Sequence, residues 1–217
     1  EFAAGRLGPC PRRGTLEGVA EPRQVLVLAS PSPQRRAILA QLGIPFVVVP
    51  PPFEEDDGPS TDPVGMVRQH ARGKARSVLA AAGGRPVLGV DTTVVLDGRT
   101  WGKPSTEEEA AAMLRMLSGR THTVVSGLCL LTEEWEELHH ETTRVCFRRL
   151  HDREVDAYVR SGEWRGRAGG YAIQGRASAF VEAVEGDFWN VVGLPVPRLA
   201  ELLLRRLPEL YPPEGEG

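Results

Sequence analysis

Apolar positions along the chain alternate between two kinds of repeat. Residues 24–29 (QVLVLA) form a short continuous apolar run, the pattern of one buried strand. After the polar loop Ser30-Pro31-Ser32-Pro33, Ile38, Leu39 and Leu42 recur at helical spacing, and Gly43 stops a helix predicted over 34–42. Residues 46–49 predict a second strand, ended by Pro50, Pro51 and Pro52. Asp62-Pro63 supplies an N-cap and first turn for a helix reaching 82. A third strand is predicted over 86–90, ending at Asp91. Residues 92–96 and 99–101 flank Asp97-Gly98, a pair suited to a tight primed turn, and predict a hairpin.

In the second half, Ser105-Thr106-Glu107-Glu108 reads as a capping box opening a helix to 117, which Gly119 closes. Residues 121–131 and 142–149 are β-rich and predict two strands paired across a turn containing Glu and His. A short helix over 154–160 ends at Gly162, a strand region follows over 171–185, and an amphipathic helix closes the pattern at 199–207. The expected fold class is mixed α/β: a largely parallel sheet with flanking helices, in two lobes around a cleft.

Composition narrows the function classes. Hydrophobic residues at 41% and charged residues at 25% are ordinary for a globular protein, so 217 residues can bury a core without disulfide staples. A net charge of −3 lacks the basic excess of a general nucleic-acid binder. Cys10, Cys129 and Cys146 are scattered, odd in number and free of any Cys-x-x-Cys pair, so neither a disulfide framework nor a zinc site is indicated. Cys129 and Cys146 sit in apolar runs and read as buried thiols. Residues 1–22, rich in Gly, Pro and Arg, are expected to be a tail outside a single domain at 23–210, with a C-terminal tail at 211–217. No apolar run approaches the ~18 residues of a membrane span, and the first residues do not read as a secretory signal, so the expected location is cytoplasmic.

Candidate chemistry sits in four places. Ser30-Pro31-Ser32-Pro33-Gln34-Arg35-Arg36 is a strand-to-helix loop whose free amides and helix dipole attract anions. Arg35 and Arg36 fall in the first turn, where the dipole disfavours cations unless an anion compensates; the alternative is two solvated arginines and capping serines. Asp91 follows an apolar strand, where an acid is costly unless paired, exposed in a cleft or metal-bound. It can serve as a general base on water, as a ligand to a hard divalent cation, or simply as a turn residue. Lys103 is held between Gly102 and Pro104, which aims its ammonium. Lys74 in a helix, and Glu55 in the acidic patch at 54–57, are otherwise ordinary solvated charges. His122 reads as packed, and His70, His139, His140 and His151 lack metal-ligand spacing. The Gly-rich run at 168–175 is no Walker loop; it permits a tight turn, and Gln174 offers a donor and an acceptor suited to a base edge.

The order of these segments carries more than any one of them. LVLASPSPQRRAILAQLG, then GVDTTVVLDGRTWGKPSTEEEAAAMLRMLSGRTHTVVSGL, then SGEWRGRAGGYAIQGRASAFVEAVEGDFWNVVGLPV closely resembles the Maf family of nucleotide pyrophosphatases, over about residues 24–205. The resemblance implies hydrolysis of a nucleoside triphosphate between its α and β phosphates, as house-cleaning of non-standard nucleotides, with a divalent cation (Mg²⁺ or Mn²⁺) and often as a homodimer. It implies Asp91 as the catalytic carboxylate, Ser30, Ser32 and Arg35 in the phosphate loop, and Lys74 and Lys103 as further phosphate-binding cations. Glu55 matches one of the family's charged cleft residues, and Glu55 and Asp91 are the expected metal ligands. Gln34, Thr92 and Gln174 fall at the family's substrate-selecting positions. Thr92 and Gln174 match the branch acting on dTTP and UTP, whereas Gln34 stands where that branch carries Arg and the 7-methyl-GTP branch carries Trp. Arg167 replaces a common Lys. A non-catalytic nucleotide-binding regulator of cell division is the alternative outside enzymes.

Overall fold

The computed structural model describes residues 25–55 and 62–211; the tail expected at 1–22 and Asp56 and Asp57 of the acidic patch lie outside them. Among the described residues seven strands, β1 (Leu26–Ala29), β2 (Phe46–Val48), β3 (Val87–Leu96), β4 (Arg99–Trp101), β5 (Thr121–Leu131), β6 (Glu136–Phe147) and β7 (Val181–Glu185), form one sheet. Its order is β2-β1-β3-β5-β6-β7, with β4 against β3. The helices are α1 (Pro33–Gln41), α2 (Pro63–Val78), α3 (Glu107–Leu117), α4 (Asp152–Ser161), α5 (Phe188–Val192) and α6 (Val196–Arg206). The mixed α/β architecture holds. Parallel pairing is confined to β2-β1 and β1-β3, where the helix-containing connections α1 and α2 allow it. The other pairings are antiparallel: short turns join β3 to β4 and β5 to β6, while β4 and α3 lie between β3 and β5, and α4 lies between β6 and β7.

Three segments differ from the sequence expectation. Strand β3 does not end at Asp91 but runs on to Leu96, since β5 pairs with it continuously from Val87 to Val95. Strand β6 begins at Glu136, so the expected Glu/His turn is strand. Its charged residues are held by arginines of neighbouring helices: Glu136 pairs with Arg72 and Arg76, and Glu137 with Arg205 and Arg206. The strand region expected from 171 is irregular as far as a 3₁₀ turn at Arg176–Phe180, and only Val181–Glu185 is strand. Thr106 caps α3 by accepting from Glu109 N, one residue later than read, and Glu109 accepts from Ser105 N rather than from the cap's own amide, so the reciprocal box does not form. Cys129 is buried, while Cys146 is only half-buried.

Alternation along β3 and β5 builds both the cleft and its floor. On one face Leu88 and Val90 pair with Leu130 and Leu128, packed under Ile38 and Leu39 of α1 and Leu199 and Leu202 of α6. Farther along that face Val94, Leu96 and Val124 belong to a second core with Leu114 of α3 and Val155 of α4. Between the two cores lies the polar pair Thr92 and Ser126, 2.8 Å apart, and Thr92 lines the cavity that opens there.

The opposite face carries α2. A Cβ on Gly89 would come within 2.2 Å of Ala71 O, and one on Gly127 within 2.1 Å of Val67 O. Only glycine lets α2 lie this close to the sheet. Asp91 pairs with Gly127 and sits two residues from Gly89, so the helix backbone approaches on both sides of the carboxylate. Gly127→Ala forces α2 outward. Urea unfolding is expected to show a loss of about 1–3 kcal/mol; an unchanged midpoint would show that the close approach is not required.

Candidate active site

Helix α2 places His70 and Lys74 one turn apart on the face that meets β3. Lys74 Nζ lies 2.7 Å from Asp91 Oδ1, and His70 Nδ1 lies 3.1 Å from Asp91 Oδ2. Both carboxylate oxygens are therefore held, at a residue only 4% exposed. Lys74 Nζ is also 2.6 Å from Glu55 Oε1, so one ammonium joins two carboxylates, and Lys103 Nζ approaches Glu55 Oε2 at 3.6 Å.

Burial pushes Asp91 up, but His70, Lys74 and the Arg35 charge outweigh it and hold the carboxyl well below the usual range. Glu55 behaves alike: burial raises it, and Lys74 and Lys103 bring it below its ordinary value. The hydrogen bond to Asp91 raises His70 despite its burial. The pair of acids is thus ionised around a fixed ammonium.

Arg35 is buried beside this cluster. Its Nε donates to Gly193 O at 2.9 Å, Nη1 to Ser30 Oγ at 2.9 Å and Nη2 to Thr92 Oγ1 at 3.2 Å. Desolvation lowers its pKa, while Asp91 and Glu55 act to raise it. These three bonds leave two of a guanidinium's five N–H groups for a ligand. In the loop before α1, Ser32 N donates to Ser30 Oγ, and Ser32 Oγ donates to Gln34 Oε1 at 3.1 Å. Ser32 therefore does not cap α1 with its side chain.

A cavity of about 800 Å³ gathers the whole set expected from the sequence: Ser30, Ser32, Gln34, Arg35, Glu55, Lys74, Asp91, Thr92, Lys103 and Gln174 all line it. That volume suits a nucleotide-sized ligand. The correction concerns where Asp91 stands. It lies in mid-strand rather than at a strand tip, two residues past the point where β1 ends beside Gly89 and leaves β3 without its parallel neighbour. His122 is packed, as read. It bonds Tyr171 OH at 2.8 Å within an aromatic cluster with Phe147, and burial pushes it down to about 4.

Sequence reading missed His70. The only available signal was its i, i+4 spacing to Lys74, which has meaning only once both face Asp91. A carboxylate oxygen from Glu55, one from Asp91 and a His70 ring nitrogen lie within 4.8 Å of one another. The two carboxylate oxygens suit Mg²⁺, and together with the imidazole nitrogen the set suits a divalent transition metal.

The ion cluster sets a pH dependence. Asp91 has a folded pKa below its 3.8 reference, so its stabilisation is complete above that value and is lost as pH falls toward the folded one. Glu55 acts in the same direction from 4.5. His70 has a folded pKa above 6.5, so its share is complete below 6.5 and is lost as pH rises through the folded value. The stability advantage of the wild type over Asp91→Asn is expected to be greatest between about pH 5 and 6.5 and to shrink on both sides. Thermal melting across pH checks this; a difference that does not vary with pH would mean Asp91 is not held by these charges.

Comparison with known proteins identifies the family. The family model described as Maf-like protein matches residues 25–206. The dTTP/UTP pyrophosphatase of Pelotomaculum thermopropionicum is 45% identical over 180 residues, covering 82% of this chain and 94% of that protein. That of Symbiobacterium thermophilum is 44% identical over 83% of this chain and 93% of its own length. That of Thermococcus gammatolerans is 48% identical over 79% and 91%. Among solved structures, the Staphylococcus aureus Ham1 protein covers 56% of this chain and 71% of its own at a TM-score of 0.42 and 13% identity, an overlap too small to carry an argument. With its folded part matched almost end to end, this chain belongs to the Maf-like family.

Proposed function

We propose that this chain is a nucleoside triphosphate pyrophosphatase that hydrolyses dTTP and UTP to the monophosphate and pyrophosphate. One observation carries the reading: a single cavity brings two ionised carboxylates, Asp91 and Glu55, against the cations Arg35, Lys74 and Lys103. A triphosphate tail needs those cations, and a water attacking its α-phosphorus needs a fixed acceptor. The pyrimidine preference rests on Thr92 and Gln174 lining the cavity, and on relatives 41–48% identical that bear the name dTTP/UTP pyrophosphatase.

In this reading the amides of the Ser30–Ser32 loop, with the free donors of Arg35, bind phosphate oxygens. Lys103 and Lys74 offset the charge that builds on the leaving pyrophosphate. Asp91 orients the attacking water and takes its proton as the bond between the α-phosphorus and the bridging oxygen breaks. In the free cleft Asp91 is a weak base, because Lys74 and His70 hold its two oxygens. A phosphate that draws Lys74 toward itself relieves one of those contacts and makes Asp91 more basic when the proton must move. Glu55 and Asp91, with His70 beside them, are the donors that fit a divalent cation, whose charge would further neutralise the phosphate oxygens when bound. Thr92 and Gln174 face the base or sugar, and Gln34 lines the same cavity.

Two measurements test the proposal. Asp91→Asn is expected to lower kcat by about 10²–10⁴-fold with an unchanged circular dichroism spectrum; retention of more than a tenth of turnover removes Asp91 from this role. A panel of dTTP, UTP, CTP, GTP and 7-methyl-GTP, assayed for pyrophosphate and for orthophosphate, is expected to give pyrophosphate, fastest from dTTP and UTP. Preference for 7-methyl-GTP would reassign the substrate. Binding without turnover would make the protein a nucleotide-binding regulator.

A further inference from the structure

Four cationic side chains that line the cavity are Arg35, Lys74, Lys103 and Arg167. The first three are engaged by protein groups. Arg35 donates to Gly193 O, Ser30 and Thr92, Lys74 joins Glu55 to Asp91, and Lys103 faces Glu55. Arg167 differs. Its Nε is buried without a hydrogen-bond partner, and among the described residues the guanidinium makes no ion pair. Glu163 acts on it electrostatically, but Glu163 is committed elsewhere. Its Oε1 lies 3.3 Å from Arg176 Nε, and its Oε2 accepts from Arg176 N at 2.8 Å. An arginine cannot shed its proton to escape burial, so a half-buried guanidinium whose Nε lacks a partner carries a cost that a bound anion reduces.

The fold fixes where this charge points. The turn Ala168–Gly170 is joined to the Lys103 segment by Gly169 N donating to Gly102 O at 3.0 Å. Gly169, at φ 68°, packs so closely on β3 that a Cβ there would lie 2.7 Å from Val94 Cγ2. Arg167 therefore belongs to the same wall as Lys103, over the strand that carries Asp91.

We infer that Arg167 is an anion-binding residue of the cleft that, alongside Lys103, holds the phosphate chain of the nucleotide. This rests on the function proposed above. A neutral pyrimidine carbonyl could accept a hydrogen bond but would leave the charge uncompensated, whereas a phosphate supplies both and accepts a planar guanidinium in bidentate fashion.

Binding rather than turnover tests it. Calorimetry in the presence of Mg²⁺ compares inorganic pyrophosphate, thymidine and the α,β-methylene analogue of dTTP on wild type and Arg167→Gln at two salt concentrations, with thermal melting to confirm folding. Arg167→Met, which keeps the apolar stem, replaces the Gln variant if that one does not fold. The variant is expected to bind pyrophosphate and the analogue at least about tenfold more weakly, with thymidine affinity kept and a shallower salt dependence. Unchanged pyrophosphate affinity, a loss confined to thymidine, or a loss with the salt dependence intact overturns the assignment. A wild-type chain that binds neither pyrophosphate nor the analogue defeats the functional reading itself, and this inference with it.

Discussion

A carboxylate kept charged inside the protein is the constraint on which the rest of the structure depends. Asp91 is 4% exposed and ionised, which is tolerable only because Lys74 and His70 each hold one of its oxygens and Arg35 adds its charge nearby. Both partners come from one helix. That helix can reach the strand only because Gly89 and Gly127 remove the side chains that would stand between them. The site's electrostatics and the sheet's two glycines are therefore one requirement stated at two levels.

The same strand separates chemistry from packing by parity. Its odd positions face α2 and carry Asp91. Its even positions supply Leu88 and Val90 to one core and Val94 and Leu96 to another, and Thr92 between them, bonded to the buried Ser126, lines the cleft. The two lobes are consequently two apolar clusters on one continuous strand pair, and the cavity is where apolar packing is interrupted. Arg35 ties the loop before α1 to Thr92 and to Gly193, so the phosphate loop, the cleft floor and the segment after α5 are braced by one side chain.

Much of this was legible in the sequence, for physical reasons that differ by element. Helices α1, α2, α3 and α6 announce themselves through apolar spacing, Pro at the start or a capping residue. The candidate site residues line one cavity: the 30–35 segment follows β1, Asp91 and Thr92 lie on β3, and Lys74 projects from α2. What stayed hidden depends on tertiary pairing. Asp91 looks like a strand end because apolar residues stop there, yet β5 pairing carries β3 past it. Glu136 to His140 look like a turn because they are charged, yet Arg72, Arg76, Arg205 and Arg206 neutralise the acids among them and let the strand form. His70 carries no signal until α2 is docked.

The central claim is that Asp91 is a buried anion stabilised by a fixed cation cluster, and carbon-13 NMR of its side-chain carboxyl measures that state directly. The account predicts a chemical shift that stays at the ionised value from neutral pH down to about pH 4, below which an ordinary exposed aspartate would already be half protonated. A carboxyl that titrates near pH 6 or is neutral at pH 7 would contradict it, since burial would then have outweighed Lys74, His70 and Arg35.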